Sequence, residues 1–395
     1  MNAAPAPEAG SASRRALVVV VDACGIGALP DAADYGDAGA NTLAHLAEAV
    51  GGLRLPALTA LGLGSILPLL GAPPALRPVV HGRLHPLGPG KDSTAGHWEL
   101  MGVVADTAPP VYPEGLPGDL IARLVTAMGR DVICNRPYNG VAAIEDFGEQ
   151  HLRSGHLIMY TSEDSVLQLA AHVDRLSPAR LYEACLAARR CMSGPDAVGR
   201  VIARPFSGRP GEFQRTGGRR DFALPPPGPS YLTELSDAGV TVHGVGKVGD
   251  LFAGVGIDEV HRAPTNREAI SATTELLRTG VPGLIFTNLI ETDQVYGHRR
   301  DTEGFHTALR EVDGAVGVWA SLCGPDDLLI ITADHGCDPT SPGTEHTREY
   351  APLLAAFGAR QGRRHDGPMA DVGASTLRWL ARREAPDLPG SALVA

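Results

Sequence analysis

Three separated stretches of this chain share one form, an apolar run that stops at acidic or imidazole side chains. Residues 16–21 are apolar at every position and close on Asp22, with Gly25-Ile26-Gly27 just beyond. Residues 284–286 lead through Asn288-Leu289-Ile290 to Glu291 and Asp293, and residues 328–331 lead to Asp334-His335-Gly336. A run that is apolar throughout, instead of alternating, predicts a strand buried on both faces, the form that parallel strands take under covering helices. Helix-patterned segments lie between the runs: 41–50 opens on Asn-Thr, and 265–279 has Thr265 in capping position with Glu268 three residues on. Strands alternating with helices predict a doubly wound α/β core, whose binding crevice lies outside the carboxyl ends of its strands.

At 395 residues the chain is long enough for two domains. Its middle has strand candidates of its own at 156–160 and 198–203, and helix candidates at 118–128 and 178–192. Pro109-Pro110 and Pro225-Pro226-Pro227 bound that region as linkers do. The expected division is a core of residues 16–105 and 228–395, with a smaller α+β cap domain of residues 106–227 inserted into it. Residues 1–15, rich in Ala, Pro, Ser and Gly without periodicity, are expected to be a disordered leader.

Charge narrows the partners. Lys and Arg total 34 against 45 Asp and Glu, a formal net charge of -11, which argues against a nucleic-acid partner and leaves cations open. The six cysteines (Cys24, Cys134, Cys185, Cys191, Cys323 and Cys337) include no Cys-x-x-Cys pair, so neither a zinc ribbon nor a disulfide scaffold fits. Arg14-Arg15 before an apolar run imitates a secretion signal, but Asp22 interrupts that run before it reaches the roughly 7–15 residues a signal needs. No stretch approaches the roughly 18 apolar residues of a membrane span. The expectation is a cytoplasmic protein without a membrane partner; oligomeric state is not legible.

The side chains at the ends of the apolar runs, with those shortly after them, are Asp22, Asp293, His298, Asp334, His335 and His346. Taken singly, each acid reads better as a helix cap and each histidine as a satisfied core residue. Together, three carboxylates and three imidazoles without a thiolate suit two divalent ions such as Mn²⁺, Zn²⁺ or Mg²⁺. Two such ions about 3.5–4 Å apart serve the attacking and leaving oxygens of a phosphoryl displacement. The segment Gly90-Lys91-Asp92-Ser93-Thr94-Ala95-Gly96-His97-Trp98-Glu99 reads as a loop where backbone approaches a ligand. No Gly-x-Ser-x-Gly elbow is present, so metal activation of Ser93 or Thr94 is the economical route to a nucleophile; a capping Ser-Thr pair is the simpler reading of those two alone.

Several blocks together closely resemble the bacterial phosphopentomutases of the alkaline phosphatase superfamily. They are Val20-Val21-Asp22 with Gly25-Ile26-Gly27, Pro30-Asp31-Ala32, Gly90-Lys91-Asp92-Ser93 with Gly96-His97-Trp98-Glu99, Gly297-His298-Arg299-Arg300-Asp301, Thr332-Ala333-Asp334-His335-Gly336, and Gly343-Thr344-Glu345-His346-Thr347-Arg348-Glu349. The Thr-Ala-Asp-His-Gly block marks the superfamily only, whereas Gly-His-Trp-Glu and Gly-His-Arg-Arg-Asp are specific to the family. The resemblance implies an alkaline-phosphatase-like core in which Asp22, Asp334 and His335 hold one metal and Asp293, His298 and His346 the other, with Mn²⁺ first among the candidates. It implies Ser93 as the phosphorylated residue, where relatives commonly carry Thr, with Thr94 as the alternate. It also points to Ser162, Asp164, Arg200, Arg215 and Lys247 as contacts to ribose and phosphate; guanidinium suits phosphate, although Arg200 and Arg215 by themselves read as surface charges.

The implied activity is isomerisation of ribose 1-phosphate to ribose 5-phosphate, and of the 2-deoxyribose analogues, through a phosphoserine enzyme and a 1,5-bisphosphate. A sugar bisphosphate activator (ribose 1,5-bisphosphate or glucose 1,6-bisphosphate) is implied with it. The alternatives are a cofactor-independent phosphoglycerate mutase and a metal-dependent phosphatase of the same superfamily. A non-catalytic metal-binding protein is the remaining one.

Overall fold

The structure, a computed structural model, describes residues 14–107, 109–161, 165–358 and 362–394. Two compact units divide the chain, Met1–Thr107 with Pro226–Ala395, and Ala108–Pro225.

The first unit is built on an eight-stranded sheet. Its strands lie in the order Glu259–His261, Val242–Val245, Gly283–Leu289, Arg15–Val21, Asp327–Thr332, Ala351–Phe357, Val80–His85 and Gly367–Pro368. Each neighbouring pair among the first five is parallel, and Ala351–Phe357 runs antiparallel to both of its neighbours. Every residue of Gly283–Leu289 and of Asp327–Thr332 is buried, as the unbroken apolar runs predict. Two sets of helices cover the sheet. Asn266–Thr279 packs on Gly283–Leu289 and against Thr302–Leu322, while Asp371–Ala381 packs on the three central strands and against Tyr231–Asp237 and Ser93–Leu100.

Register places the chemistry. Arg15 is level with Asp327 and Val20 with Thr332, so continuing both strands by two residues sets Asp22 level with Asp334. Val21 is level with Leu289, and the Asp22 amide donates to the Leu289 carbonyl at 3.1 Å. A single π-helical turn, Thr292–Tyr296, follows that strand and carries Asp293.

The second unit holds a sheet ordered Val132–Pro137, Leu157–Thr161, Val166–His172, Arg200–Ser207 and Gln214–Arg215, with Arg220–Ala223 also pairing Arg200–Ser207. Alternation along Leu157–Thr161 feeds two cores, Leu157 and Met159 joining one and Ile158 and Tyr160 the other.

Two expectations need correcting. The leader was expected through residue 15, and residues 1–13 lie outside the described residues. Arg15, however, opens the first strand, because its guanidinium meets Asp327 through two hydrogen bonds of 2.9 and 2.5 Å and the Leu277 carbonyl at 2.7 Å. The expected loop of residues 90–99 is helical from Ser93 to Leu100, because Asp92 caps it by accepting from the Thr94 and Ala95 amides. No described helix is long and apolar enough to cross a membrane.

Candidate metal centre

The loops after the three central strands bring two sets of ligand-type atoms together, each set lying within 4.8 Å of itself. In one set His335 Nε2 is 3.4 Å from Asp22 Oδ1 and 3.6 Å from Asp334 Oδ2. In the other, Asp293 Oδ1 is 3.3 Å from both His298 Nε2 and His346 Nε2, and those two nitrogens are 3.2 Å apart. Ligands on a four-coordinate ion with bonds of about 2.0–2.2 Å stand about 3.3–3.6 Å from one another, so these separations are those of ligands sharing an ion. The sets are neighbours, with the His335 and His346 rings centred 4.0 Å apart. His346 lies far along the same loop that Asp334 and His335 open, close to the start of Ala351–Phe357. It reaches the site because Gly336 and Thr347 pair as an antiparallel bridge, folding its segment back beside the Asp334 turn.

Polar accounting within these sets asks for a cation. Asp293 Oδ1 and Asp334 Oδ2 are buried and make no hydrogen bond. Burial opposes ionisation of Asp293, but the His298 and His346 imidazoles beside it outweigh burial and hold the carboxyl well below its usual range. Burial likewise opposes a charge on His335, yet the carboxylates of Asp334 and Asp22 raise that imidazole to about 10. The adjacent Asp293 carboxylate raises His298 to about 9. Asp22 is raised by burial and by the adjacent Asp334 charge. Clustered carboxylates that pull protons onto neighbouring imidazoles form a donor set matched to divalent ions.

Ser93 is the first residue of its helix, and its hydroxyl lies 3.2 Å from His335 Nε2 and 3.5 Å from Asp22 Oδ1. Thr94 is engaged through its amide with Asp92. Three residues that follow lock this helix in place. Gly96 abuts the Asp334 turn so closely that an added Cβ would lie 2.2 Å from the Asp334 carbonyl oxygen. Trp98 Nε1 donates to the Leu251 carbonyl at 2.9 Å, and Glu99 accepts from the Leu87 and Gly88 amides at 2.5 and 2.7 Å. Lys91, on the approach to the helix, is tied to Asp37 at 2.8 Å.

Lys247 caps the short helix Val248–Leu251, directly after Gly246. Gly246 has φ +78, and an added Cβ there would lie 2.7 Å from the Asn288 carbonyl oxygen. That approach brings the Lys247 charge near enough to Asp22 to favour its ionised form. Arg200 and Arg215 belong to the second unit. Arg200 lies 3.8 Å from Asp221, and Arg215 sits beside the Tyr160 hydroxyl near Gly140. Ser162 and Asp164 lie outside the described residues.

Residues the sequence did not single out for a role support the set from behind. Asn288 Nδ2 donates to Asp22 Oδ2 at 3.1 Å, and Thr292 Oγ1 donates to the Asp22 carbonyl at 2.6 Å. The fully buried His97 places Nδ1 2.8 Å from the Ser93 carbonyl and 3.1 Å from Asp334 Oδ2. Glu349 is buried at the centre of a net that includes the Thr42 and Gly27 amides and the Thr42 and Thr347 hydroxyls. Polar residues inside an otherwise apolar strand, as Asn288 is, were the signal available for finding them. All six cysteines are free, and none joins either ligand set.

Residues 14–382 match the family model described as the Metalloenzyme superfamily. The chain is 48% identical over 342 residues to a phosphopentomutase of Carboxydothermus hydrogenoformans, an alignment covering 86% of this chain and 88% of that protein. It is 46% identical over 342 residues to a phosphopentomutase of Caldanaerobacter subterraneus subsp. tengcongensis, covering 86% and 87%. With a phosphopentomutase of Anaeromyxobacter dehalogenans it shares 44% identity over 379 residues, covering 94% and 96%.

Proposed function

The chain belongs to the phosphopentomutases of the metalloenzyme superfamily, and from that premise we propose that it interconverts ribose 1-phosphate and ribose 5-phosphate, and their 2-deoxyribose analogues, through a phosphorylated Ser93. The observation that carries the Ser93 assignment is its hydroxyl, 3.2 Å from His335 Nε2 and 3.5 Å from Asp22 Oδ1. Asp22, Asp334 and His335 would hold one divalent ion, and Asp293, His298 and His346 the other, with Mn²⁺ the expected metal. When bound, such ions supply Lewis acidity and charge neutralisation toward a phosphoryl group.

The chain's own residues do the remainder. Phosphorylated Ser93 presents its phosphoryl group to the free hydroxyl of a pentose monophosphate. The Oγ–P bond breaks as a bond from phosphorus to the sugar oxygen forms, giving a 1,5-bisphosphate, while the sugar hydroxyl loses its proton and the freed Ser93 Oγ takes one up. After the sugar turns, Ser93 takes back the phosphoryl group from the other end. Lys247, Arg200 and Arg215 would each contact substrate phosphate, ammonium and guanidinium both suiting that anion. Ser162 and Asp164 would meet the ribose. A sugar bisphosphate would charge Ser93 at the outset. A cytoplasmic setting agrees with six free cysteines.

Intact-protein mass measurement after incubation with ribose 1,5-bisphosphate and Mn²⁺ tests the reading. One phosphate adduct mapping to Ser93 is expected, absent from Ser93→Ala and present in Thr94→Val. An adduct on Thr94 overturns the nucleophile. Release of inorganic phosphate as fast as sugar phosphate is consumed overturns the mutase reading in favour of a phosphatase, and turnover of 3-phosphoglycerate in place of ribose 1-phosphate overturns the substrate.

A further inference from the structure

A second gathering of ligand-type side chains lies at the edge of the core sheet. His243 is on Val242–Val245, and Glu259 and His261 begin and end the neighbouring edge strand Glu259–His261. The parallel register sets Glu259 level with His243, and the period of two along a strand returns His261 to the face that Glu259 occupies. His243 Nδ1 consequently lies 3.3 Å from both Glu259 Oε2 and His261 Nε2, and Glu259 Oε2 lies 3.7 Å from His261 Nε2. These separations match those within the two sets of the metal centre.

Hydrogen bonding alone accounts for this triangle poorly. If His243 Nδ1 and His261 Nε2 both donate to Glu259, two N–H groups face each other at 3.3 Å, and if His261 donates to His243 instead, the bare Nδ1 faces the Glu259 carboxylate at 3.3 Å. A cation at the middle meets all three atoms at once. We propose that His243, Glu259 and His261 form a third divalent-cation site, separate from the metal centre, that takes a borderline transition ion of which Zn²⁺ is the type.

The donor chemistry sets that class. Two imidazoles and one carboxylate are a zinc donor set that leaves a position for water, whereas Mg²⁺ and Ca²⁺ favour oxygen throughout. Access agrees with it, since the His243 side chain is 4% exposed while that of Glu259 is 57% exposed, so the ion is seated against the sheet and open to solvent on one side. An ion held there fastens a three-residue edge strand to its neighbour through side chains as well as backbone.

Zinc counting tests the site. The full chain and a Glu259→Gln/His261→Gln double variant are stripped with a chelator, equilibrated with Zn²⁺ by dialysis, and assayed for zinc per chain by elemental mass spectrometry. The double variant is expected to bind one zinc fewer and, reloaded with Mn²⁺, to isomerise ribose 1-phosphate at the unaltered rate. Equal zinc counts overturn the proposal, whatever the activity of either protein. Should the double variant be inactive, His261→Gln alone is counted in its place, and an unchanged count there overturns the proposal equally.

Discussion

His97 Nδ1 stands 3.1 Å from Asp334 Oδ2, with both side chains wholly buried. Because the same nitrogen is 2.8 Å from the Ser93 carbonyl, one imidazole joins the helix that carries the hydroxyl to a carboxylate of the ligand set. His97 is a positioning residue. Partners behind metal ligands typically change metal affinity by about 10–100-fold when removed. His97→Leu is expected to raise the Mn²⁺ concentration for half-maximal activity by about that factor, with activity recovering at high Mn²⁺ and His97→Asn lying between. A loss that saturating Mn²⁺ leaves untouched would refute the positioning role.

Gly96 makes the same junction possible by having no side chain. An alanine Cβ 2.2 Å from the Asp334 carbonyl oxygen cannot be accommodated without moving backbone. Gly96→Ala is expected to destabilise the protein by about 1–3 kcal/mol and to cut activity far more than Ala95→Gly, one residue away. Thermal melting and ribose 1-phosphate turnover, measured on both variants, check this.

Metal loading should release protons. His298 at about 9 and His335 at about 10 are protonated at neutral pH in chelator-stripped protein, and ligation needs them neutral. Apparent Mn²⁺ affinity is expected to rise with pH up to about 10, and a titration near pH 7.5 in weak buffer should expel protons. The stability sign follows from folded values raised above about 6.5. In stripped protein this contribution is fully present below that pH and lost as pH rises through 9 to 10, whereas loaded protein should show no such loss. Melting temperatures of the two forms across pH 6–10 decide it.

The second unit carries an acid-sensitive group of the opposite sign. His151 is fully buried, with Nδ1 donating to the His156 carbonyl at 2.7 Å and Nε2 accepting the His172 amide at 2.9 Å, so the ring is neutral and burial lowers its pKa. The unfolded chain then takes up the proton first, and stability is lost as pH falls below about 6.5. Between pH 7 and pH 5 the melting temperature of this unit is expected to fall less steeply in His151→Gln than in the unaltered chain. Parallel slopes would assign the acid sensitivity elsewhere.

Much of this was legible because local signals were strong. The apolar run before Asp334 is a fully buried strand, Thr265 caps Asn266–Thr279, and Gly118–Met128 is a helix over the same residues that its pattern predicts. Ser93 was misread as loop, since two adjacent hydroxyls and flanking glycines have turn chemistry; Asp92, one residue earlier, supplies the cap and turns the segment into helix. Asn288 and Glu349 gave little local signal, because a buried polar residue shows its purpose only through partners far away in the chain.

By itself the sequence determined the alternating α/β plan, the acidic and imidazole residues that follow its strands, and, through family-specific blocks, the isomerase family. Those are properties of short segments, governed by periodicity, capping and residue chemistry. Only the tertiary structure decided that Asp22 stands level with Asp334, that His346 is folded back beside His335, and that His243 meets Glu259 across an edge strand. Each of those depends on strand register and on the path of a returning loop. Register is set by the packing of the whole sheet, so no single segment contains it.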